Sequence, residues 1–112
     1  MKYTENTYSK GQIWIAQIKR QDDLSNTIKP RPFLILKVKE TDYDVVVTPF
    51  STQPPRDSDD VVVEKWQEAG LDRPSINRAF KVATIDRRVL THCVGKLDED
   101  TMSRIMNISF MI

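Results

Sequence analysis

Cysteine, glycine and long apolar stretches are all scarce in this sequence of 112 residues. Its one cysteine, Cys93, cannot form a disulfide within the chain, so nothing in the sequence indicates an oxidising compartment. The three glycines are too few for a glycine-rich loop that cradles phosphates. No stretch is long and apolar enough to cross a bilayer, and residues 1–10 lack the apolar run of a secretory signal. These absences predict a cytoplasmic protein.

An excess of charge of one sign is also missing. Lysine and arginine number 17 against 16 aspartates and glutamates, which gives a formal net charge of +1. A strongly basic nucleic-acid-binding protein is therefore excluded, and any affinity for RNA must come from a local cluster of basic side chains. The length and the 39% of hydrophobic residues predict one globular domain over residues 1–112, with residues 1–10 as a polar N-terminal extension.

Short β-branched and aromatic segments, separated by turn residues, predict strands over most of the chain. The predicted strands are 12–18, 33–36, 45–50, 61–63, one or two within 76–85, and 91–96. Pro30 and Pro32 cannot donate to a strand ladder, so they place Arg31 at the start of the second strand. Residues 51–60 (STQPPRDSDD) predict a loop because proline, serine and aspartate are concentrated there.

The spacing of the apolar residues changes to a helical period at the end of the chain. Asp98 is the predicted N-cap, and Leu97 and Met102 take the two positions of a hydrophobic staple. A mostly apolar face then continues at helical spacing as far as Ser109. The sequence therefore predicts one C-terminal helix.

A shorter helical signal lies in the middle of the chain. Residues 64–69 predict one helical turn, closed by Gly70 in a left-handed conformation. Several short strands followed by one terminal helix predict a mostly β fold with helices (α+β), either a small barrel or a strongly curved sheet with the helix packed on it.

Four segments form an ordered pattern. They are GQIWI at 11–15, KPRPFLIL at 29–36, VVVTPFST at 45–52, and GLDRPSINR at 70–78 continuing to ATIDRRVL at 83–90. Together with GKL at 95–97 and the terminal helix, they resemble the MazF/PemK (Kid) family of toxins. The resemblance runs from about residue 11 to residue 108, nearly the whole chain.

This resemblance implies an SH3-like small barrel of the CcdB/Kid/MazF type with a C-terminal helix, assembled as a homodimer. It also implies a toxin of a type II toxin–antitoxin system that is neutralised by a cognate antitoxin protein. Such a toxin cuts single-stranded messenger RNA by attack of the 2′-hydroxyl, which leaves a cyclic phosphate and a 5′-hydroxyl end. Neither a metal nor a cofactor is expected.

Three residues match catalytic positions of the family, namely Arg31, Ser51 and Arg78. A guanidinium at Arg31 suits a charged phosphorane because its planar fork matches phosphate oxygens. The Ser51 hydroxyl can donate to a phosphate oxygen, and Arg78 matches an arginine that takes part in acid catalysis in Kid-like members. The structural alternatives are a salt-bridged arginine at a strand start, a turn serine and a solvated strand charge.

The predicted substrate-binding residues are Ser25, Lys29, Phe50 and Lys81. Ser25 matches a substrate-contacting serine in some family members. The two lysines belong to a set of basic side chains that could converge around the loops flanking the first three strands: Lys19, Arg20, Lys29, Arg31, Arg56, Arg73, Arg78 and Lys81. Phe50 and Phe80 are candidates to stack on unpaired bases, and one of the two is expected to be a core residue instead.

Two positions depart from the family pattern. Kid-like members carry an acidic residue two positions after the second arginine, where this chain has Phe80. Many members have a glutamate in a glycine-rich loop before the second strand, whereas this loop reads SNTIK at 25–29. Asp22 and Asp23 are substitutes only by their proximity in sequence. The identity of the general base therefore stays open, and reduced activity is one consequence to consider.

His92 is the only histidine, and Cys93 follows it on the last predicted strand. Because the family pattern places no site residue there, we expect a structural or surface histidine and a small buried cysteine. One histidine and one cysteine without clustered carboxylates do not form a zinc site.

Two alternatives to an active ribonuclease are kept. The missing carboxylates would permit a family member that binds RNA or an antitoxin but has lost catalysis. A gyrase poison of the CcdB type shares the fold, but that class ends in Trp-Gly-Ile, whereas this chain ends in Ser-Phe-Met-Ile. An acidic, antitoxin-like reading frame immediately upstream would separate the toxins from an orphan binding module.

Overall fold

A computed structural model describes residues 7–18 and 29–110 of the chain. In chain order, its elements are β1 (Gln12–Gln17), β2 (Pro30–Val38), β3 (Asp44–Ser51), β4 (Asp60–Val63), β5 (Ser75–Arg78), β6 (Ala83–Asp86), β7 (Leu90–Lys96) and α1 (Glu99–Ser109). A 3₁₀ turn, Arg87–Val89, joins β6 to β7. The prediction of a mostly β fold with a C-terminal helix is confirmed, and the segment 76–85 holds two strands.

The strands form one antiparallel sheet in the order β4-β5-β3-β2-β1-β7, and β6 pairs with β3. One edge of β3 is shared, because residues 44–47 pair with β6 and residues 50–51 pair with β5. Within the described residues, the edge strands β4 and β7 do not pair, so the predicted small barrel is an open sheet rather than a closed one. The chain between β4 and β5 contacts β7 instead.

Residues 64–70 form the predicted helical turn between β4 and β5. The Gly70 N–H donates to the Gln67 carbonyl at 3.1 Å, and the Leu71 N–H donates to the Trp66 carbonyl at 3.0 Å. These two bonds form a Schellman closure, in which Gly70 adopts the left-handed φ of +94°.

The helical turn lies directly against β7. A Cβ atom added to Gly95 would come within 1.9 Å of the Ala69 carbonyl oxygen, and one added to Gly70 would come within 2.1 Å of the Val94 carbonyl oxygen. The two backbones approach this closely because both positions lack a side chain. The turn therefore contacts β7, the edge strand that would pair with β4 in a closed barrel.

Two apolar cores lie on opposite faces of the sheet. The larger core contains Ile13, Leu34, Leu36, Phe50, Val61, Val63, Ala69, Leu71, Ala79, Leu97, Met102 and Ile105. The smaller core contains Trp14, Ala16, Ile35, Val45, Val47 and Leu90. Consecutive residues such as Ile13 and Trp14 alternate between the cores, as the period of two in a strand requires. Tyr8 packs on Trp14 with ring centroids 4.6 Å apart, so part of the predicted N-terminal extension belongs to the fold.

Helix α1 begins where the sequence predicts. The Asp98 carboxylate accepts hydrogen bonds from the backbone N–H and the hydroxyl of Thr101, both at 3.0 Å. Leu97 and Met102 are both buried in the larger core, which agrees with the predicted staple. In the described part of the chain, no helix has the length and apolar character needed to cross a membrane.

Strand β2 begins earlier than predicted and includes both prolines. It pairs with β1 from Pro30 onward but with β3 only from Phe33 onward. The two prolines are tolerated because they precede the part of β2 that pairs with β3. The start of β2 therefore borders an open space on the side of β3.

Candidate active site

An open groove of about 650 Å³ lies beside the start of β2. It is lined by Ile15, Pro30, Arg31, Pro32, Phe50, Ser51, Thr52, Gln53, Gly70, Leu71, Asp72, Arg73, Ser75, His92 and Val94. Phe50 and Leu71 also belong to the larger core, so the groove lies at one end of that core. Its lining combines apolar surface with charged and polar side chains.

Arg31 and Ser51, two of the predicted catalytic residues, both lie in this groove. Arg31 is half-buried and is opposite Ala16 of β1. Ser51 is the last residue of β3, before the loop that the sequence predicts. The tertiary structure therefore brings together a guanidinium and a hydroxyl from two different strands.

Arg78, the third predicted catalytic residue, lies behind Ser51. Its side chain is 6% exposed, and its Nη1 donates to the Asp60 carboxylate at 2.7 Å, where the Asp60 side chain is 4% exposed. Its Nη2 donates to Ser51 Oγ at 3.2 Å. The alternative of a solvated strand charge is therefore wrong, because Arg78 is buried in an ion pair. The described lining of the groove includes neither Arg78 nor Asp60.

The two hydrogen bonds accepted by Ser51 determine what its hydroxyl can still do. Ser51 Oγ accepts from Arg78 Nη2 at 3.2 Å and from the Gln53 backbone N–H at 3.1 Å. A hydroxyl oxygen has two acceptor lone pairs and one hydrogen, so these bonds leave the O–H hydrogen as its remaining capacity. Ser51 lines the groove, and its hydroxyl is therefore suited to donate to an oxygen of a bound molecule.

Asp60 also organises the loop between β3 and β4. Its carboxylate accepts a hydrogen bond from the Arg56 backbone N–H at 2.9 Å, and the Arg56 Nε lies 3.6 Å from it. Asp60 is directly opposite Arg78 in the β4–β5 pair, so the register of these strands creates the ion pair. The sequence analysis missed Asp60, because its role depends on that pairing.

The other predicted binding residues are more dispersed. Phe50 lines the groove but is only 8% exposed, so most of its ring belongs to the core. Phe80 is 63% exposed and lies outside the described lining of the groove. Lys29 and Lys81 are exposed, and the described lining includes neither of them. Three predicted positions, Ser25, Lys19 and Arg20, lie outside the described residues, as do Asp22 and Asp23.

Arg73 is the member of the predicted basic set that joins Arg31 in the described lining of the groove. Its Nε lies 3.8 Å from the Asp72 carboxylate, and both side chains are mostly exposed, at 66% and 90%. An ion pair with this exposure contributes little. Arg73 is therefore positioned to contact a ligand anion as well.

The structure corrects two expectations on β7. His92 lines the groove that holds Arg31 and Ser51, although the sequence placed it away from the predicted site. Cys93 is exposed rather than buried. Its Sγ lies 3.4 Å from the Gly95 carbonyl oxygen. Within residues 7–18 and 29–110, the side chains of His, Cys, Asp and Glu form no group of three that could hold a metal ion.

Comparisons with known proteins agree with this architecture. A family model of PemK-like, MazF-like toxins of type II toxin–antitoxin systems matches residues 9–108. A protein named probable endoribonuclease MazF, from Mycolicibacterium smegmatis, is 38% identical over 84 residues, which cover 70% of this chain and 74% of that protein.

Solved structures show the same fold. The Mycobacterium tuberculosis toxin MazF-mt6 matches with a TM-score of 0.68 at 25% identity, covering 88% of this chain and 91% of that one. An endoribonuclease in complex with its cognate antitoxin, from a mycobacterial species, matches with a TM-score of 0.71 at 17% identity, covering 94% and 93% of the two chains. At the latter identity, the likeness concerns the fold alone.

Proposed function

Because the chain belongs to the PemK-like, MazF-like toxins of type II toxin–antitoxin systems, we propose that it is an endoribonuclease that cleaves single-stranded messenger RNA without a metal ion. The observation that carries the proposal is the groove that Arg31 and Ser51 both line. The relative from M. smegmatis, which is named a probable endoribonuclease, supports the same activity.

In the proposed reaction, the 2′-oxygen next to the scissile phosphate attacks phosphorus and the bond to the 5′-oxygen breaks. The products are a cyclic phosphate and a 5′-hydroxyl end. Arg31 stabilises the negative charge that develops on the phosphorane, and the Ser51 hydroxyl donates to one of its oxygens. Arg78 acts through Ser51 rather than on the substrate, because its guanidinium donates to Ser51 and to Asp60.

The binding part of the proposal concerns the cations around the groove. Arg31 and Arg73 supply positive charge in its walls, and the exposed Lys29 and Lys81 contact RNA phosphates beyond it. Phe50 contributes an apolar edge to the groove floor. Ser25 is retained as a substrate-contacting residue on the family resemblance alone.

The proposal extends to the partners of the toxin. A cognate antitoxin protein binds it, two copies of the chain form a homodimer, and the pair acts in the cytoplasm. The family model, which describes toxins of type II toxin–antitoxin systems, supports the first of these statements.

The test is incubation of the purified protein with a long unstructured RNA in excess EDTA, followed by mapping of both ends at each cut. We expect cleavage that leaves 5′-hydroxyl and cyclic phosphate ends. The doubly substituted Arg31→Ala/Ser51→Ala protein, purified identically, controls for a contaminating ribonuclease. A requirement for Mg²⁺, or 5′-phosphate ends, would contradict the proposed chemistry. RNA that is bound but never cut would favour the alternative of a binding module.

A further inference from the structure

The mechanism above lacks a group that removes the 2′ proton, and His92 of β7 lies in the wall of the same groove. His92 is opposite Ile15 of β1, and Ile15 is opposite Pro32 of β2. The backbones of His92 and Pro32 are therefore two interstrand spacings apart, which is about 10 Å. Arg31, the neighbour of Pro32, also lines this groove, so His92 and Arg31 reach it from two different strands.

Two β-bulges flank this part of β7. Ile15 is opposite His92 but Ala16 is opposite Leu90, which leaves Thr91 as an extra residue. Val94 is extra in the same way, because Trp14 is opposite Cys93 and Ile13 is opposite Gly95. Bulges bend a strand and change the direction of its side chains, and they are frequent next to active sites. The local pairing of β7 therefore places His92, rather than Cys93, in the groove wall.

The contacts of Thr91 fit one tautomer of His92. Thr91 Oγ1 donates to the Ile15 carbonyl oxygen at 3.1 Å, which uses its only hydrogen. Thr91 Oγ1 also lies 3.1 Å from His92 Nδ1, and both contacts are hydrogen bonds when Nδ1 carries the imidazole hydrogen. In that tautomer, Nε2 has the lone pair that a base uses.

We propose that His92 is the general base of the cleavage reaction, an assignment that rests on the proposed function. As the 2′-oxygen forms its bond to phosphorus, its proton passes to His92 Nε2. The P–O5′ bond breaks, and the 5′-oxygen leaves with the electron pair and takes a proton from water. The imidazolium then returns its proton to water, so the enzyme is regenerated.

Side chains of both charges line the groove that contains His92. The groove walls contain two guanidinium groups, Arg31 and Arg73, and one exposed carboxylate, Asp72. On β7 itself, Cys93 is opposite Trp14, and Lys96 is opposite Gln12.

The experiment measures single-turnover cleavage of a short RNA by the full chain, with and without added imidazole, across a range of pH. A positioned general base contributes roughly 10²- to 10⁴-fold, so His92→Ala and His92→Asn should slow cleavage by about this factor. The Asn side chain can still donate to Thr91 but has no basic nitrogen. The decline in rate toward acidic pH should disappear in both variants, and imidazole should partly restore the rate of His92→Ala.

Two variants serve as matched controls. Cys93→Ala, at the neighbouring exposed position, should cut at the wild-type rate. Arg31→Ala should be slow but not rescued by imidazole. Cleavage by His92→Ala at the wild-type rate, or a slow rate with the wild-type pH profile and no rescue, would overturn the assignment of His92 while leaving the ribonuclease proposal intact. A wild-type protein that never cuts RNA would overturn both.

Discussion

The two arginines that the family resemblance assigns to catalysis, Arg31 and Arg78, differ in their burial. Arg31 is half-buried in the groove wall, whereas the Arg78 side chain is 6% exposed and pairs with the buried Asp60 carboxylate. A buried ion pair costs desolvation energy and needs good geometry and further hydrogen bonds to offset it. The bond from Arg78 to Ser51 supplies one of these, which connects the ion pair to the groove. The two arginines should therefore respond differently to substitution.

Arg31→Ala should lower turnover far more than RNA affinity. The Arg31 charge is needed most when the phosphorane forms, and loss of one preorganised donor typically costs roughly 10²- to 10³-fold in rate. Arg31→Lys keeps the charge but loses the planar fork, so it should remain well below the wild-type rate. The measurement is kcat and KM for a short RNA, with thermal unfolding as the control for folding. Equal rates for Arg31→Ala and wild type would remove Arg31 from the catalytic residues.

Arg78→Lys should slow cleavage through its effect on Ser51. The lysine keeps a positive charge beside Asp60. Its single ammonium group cannot reproduce the two hydrogen bonds that the guanidinium donates to Asp60 and Ser51. In a double-mutant cycle with Ser51→Ala, we expect a coupling free energy of about 0.5–3 kcal/mol, as for residues in one hydrogen-bonded network. The variant Arg78→Lys/Ser51→Ala should therefore be no slower than Ser51→Ala alone. Additive losses would indicate that Arg78 acts on the substrate independently of Ser51.

Among the structural elements, the contact between the helical turn and β7 determines the shape of one groove wall. Gly70 and Val94 both line the groove, and they belong to the two backbones that approach each other most closely. Any side chain at this contact must push the turn away from β7.

Gly95→Ala should therefore lower both stability and turnover. Its Cβ would come within 1.9 Å of the Ala69 carbonyl oxygen, which is backbone and cannot rotate away. Overpacking of this kind typically costs about 1–3 kcal/mol. Gly11→Ala is the comparison: it also loses stability, because Gly11 has a φ of +93°, but its Cβ would meet only the Lys96 side chain at 3.6 Å. Urea denaturation and cleavage assays should show that only Gly95→Ala loses activity in the folded protein.

The N-terminus of α1 should make stability depend on acidic pH. Burial raises the pKa of Asp98, but the hydrogen bonds from Thr101, the backbone N–H of Asp98 and the charge of Lys65 together hold the pKa below the ordinary value of 3.8. Because the folded-state pKa is lowered, this stabilisation is complete above the unfolded-state pKa and is lost as the pH falls through the folded-state value.

The variant Asp98→Asn keeps an N-cap side chain but removes the titrating carboxyl group, so it tests the two contributions separately. Asparagine is an equally good N-cap, so its free energy of unfolding at neutral pH should match the wild type, whereas Asp98→Ala should lose about 1 kcal/mol. Carboxyl groups ordinarily titrate between about pH 5 and about pH 3. As the pH falls through this range, the free energy of unfolding of Asp98→Asn should decrease less than that of the wild type. If the stability of the two proteins fell equally with pH, the titration of Asp98 would not contribute to the pH dependence of stability.

For the whole molecule, the described surface leaves several large apolar side chains exposed. They are Tyr43, Val62, Phe80, Val82, Val89 and Phe110, with Phe80 at 63%. The C-terminal end of α1 lies beside the β5–β6 connection, because the Ser109 hydroxyl donates to the Ala79 carbonyl at 2.6 Å. Apolar surface of this kind on a small domain is commonly covered by a second copy.

We therefore expect a homodimer in solution, with about twice the chain mass of 13.0 kDa. Sedimentation equilibrium at micromolar concentration is the measurement, since it gives the mass independently of shape. A monomer that retains full cleavage activity at the same concentration would contradict the prediction.

The sequence by itself determined the elements whose causes are local. The N-cap at Asp98, the glycine closure at Gly70 and the strand segments were all predictable, because each depends on a few residues that are adjacent in the chain. The family pattern also placed Arg31 and Ser51, and the structure brings these two side chains to one groove.

Only the tertiary structure decided which side chains meet across strands. The pairing of β4 with β5 places Asp60 opposite Arg78, and the bulge at Thr91 accompanies the placement of His92 in the groove wall. The same long-range contacts leave the sheet open and Cys93 exposed. These outcomes depend on strand register, in which a shift by one residue turns every side chain to the opposite face. A local sequence pattern constrains the alternation along a strand but does not specify its partner or the position of a bulge.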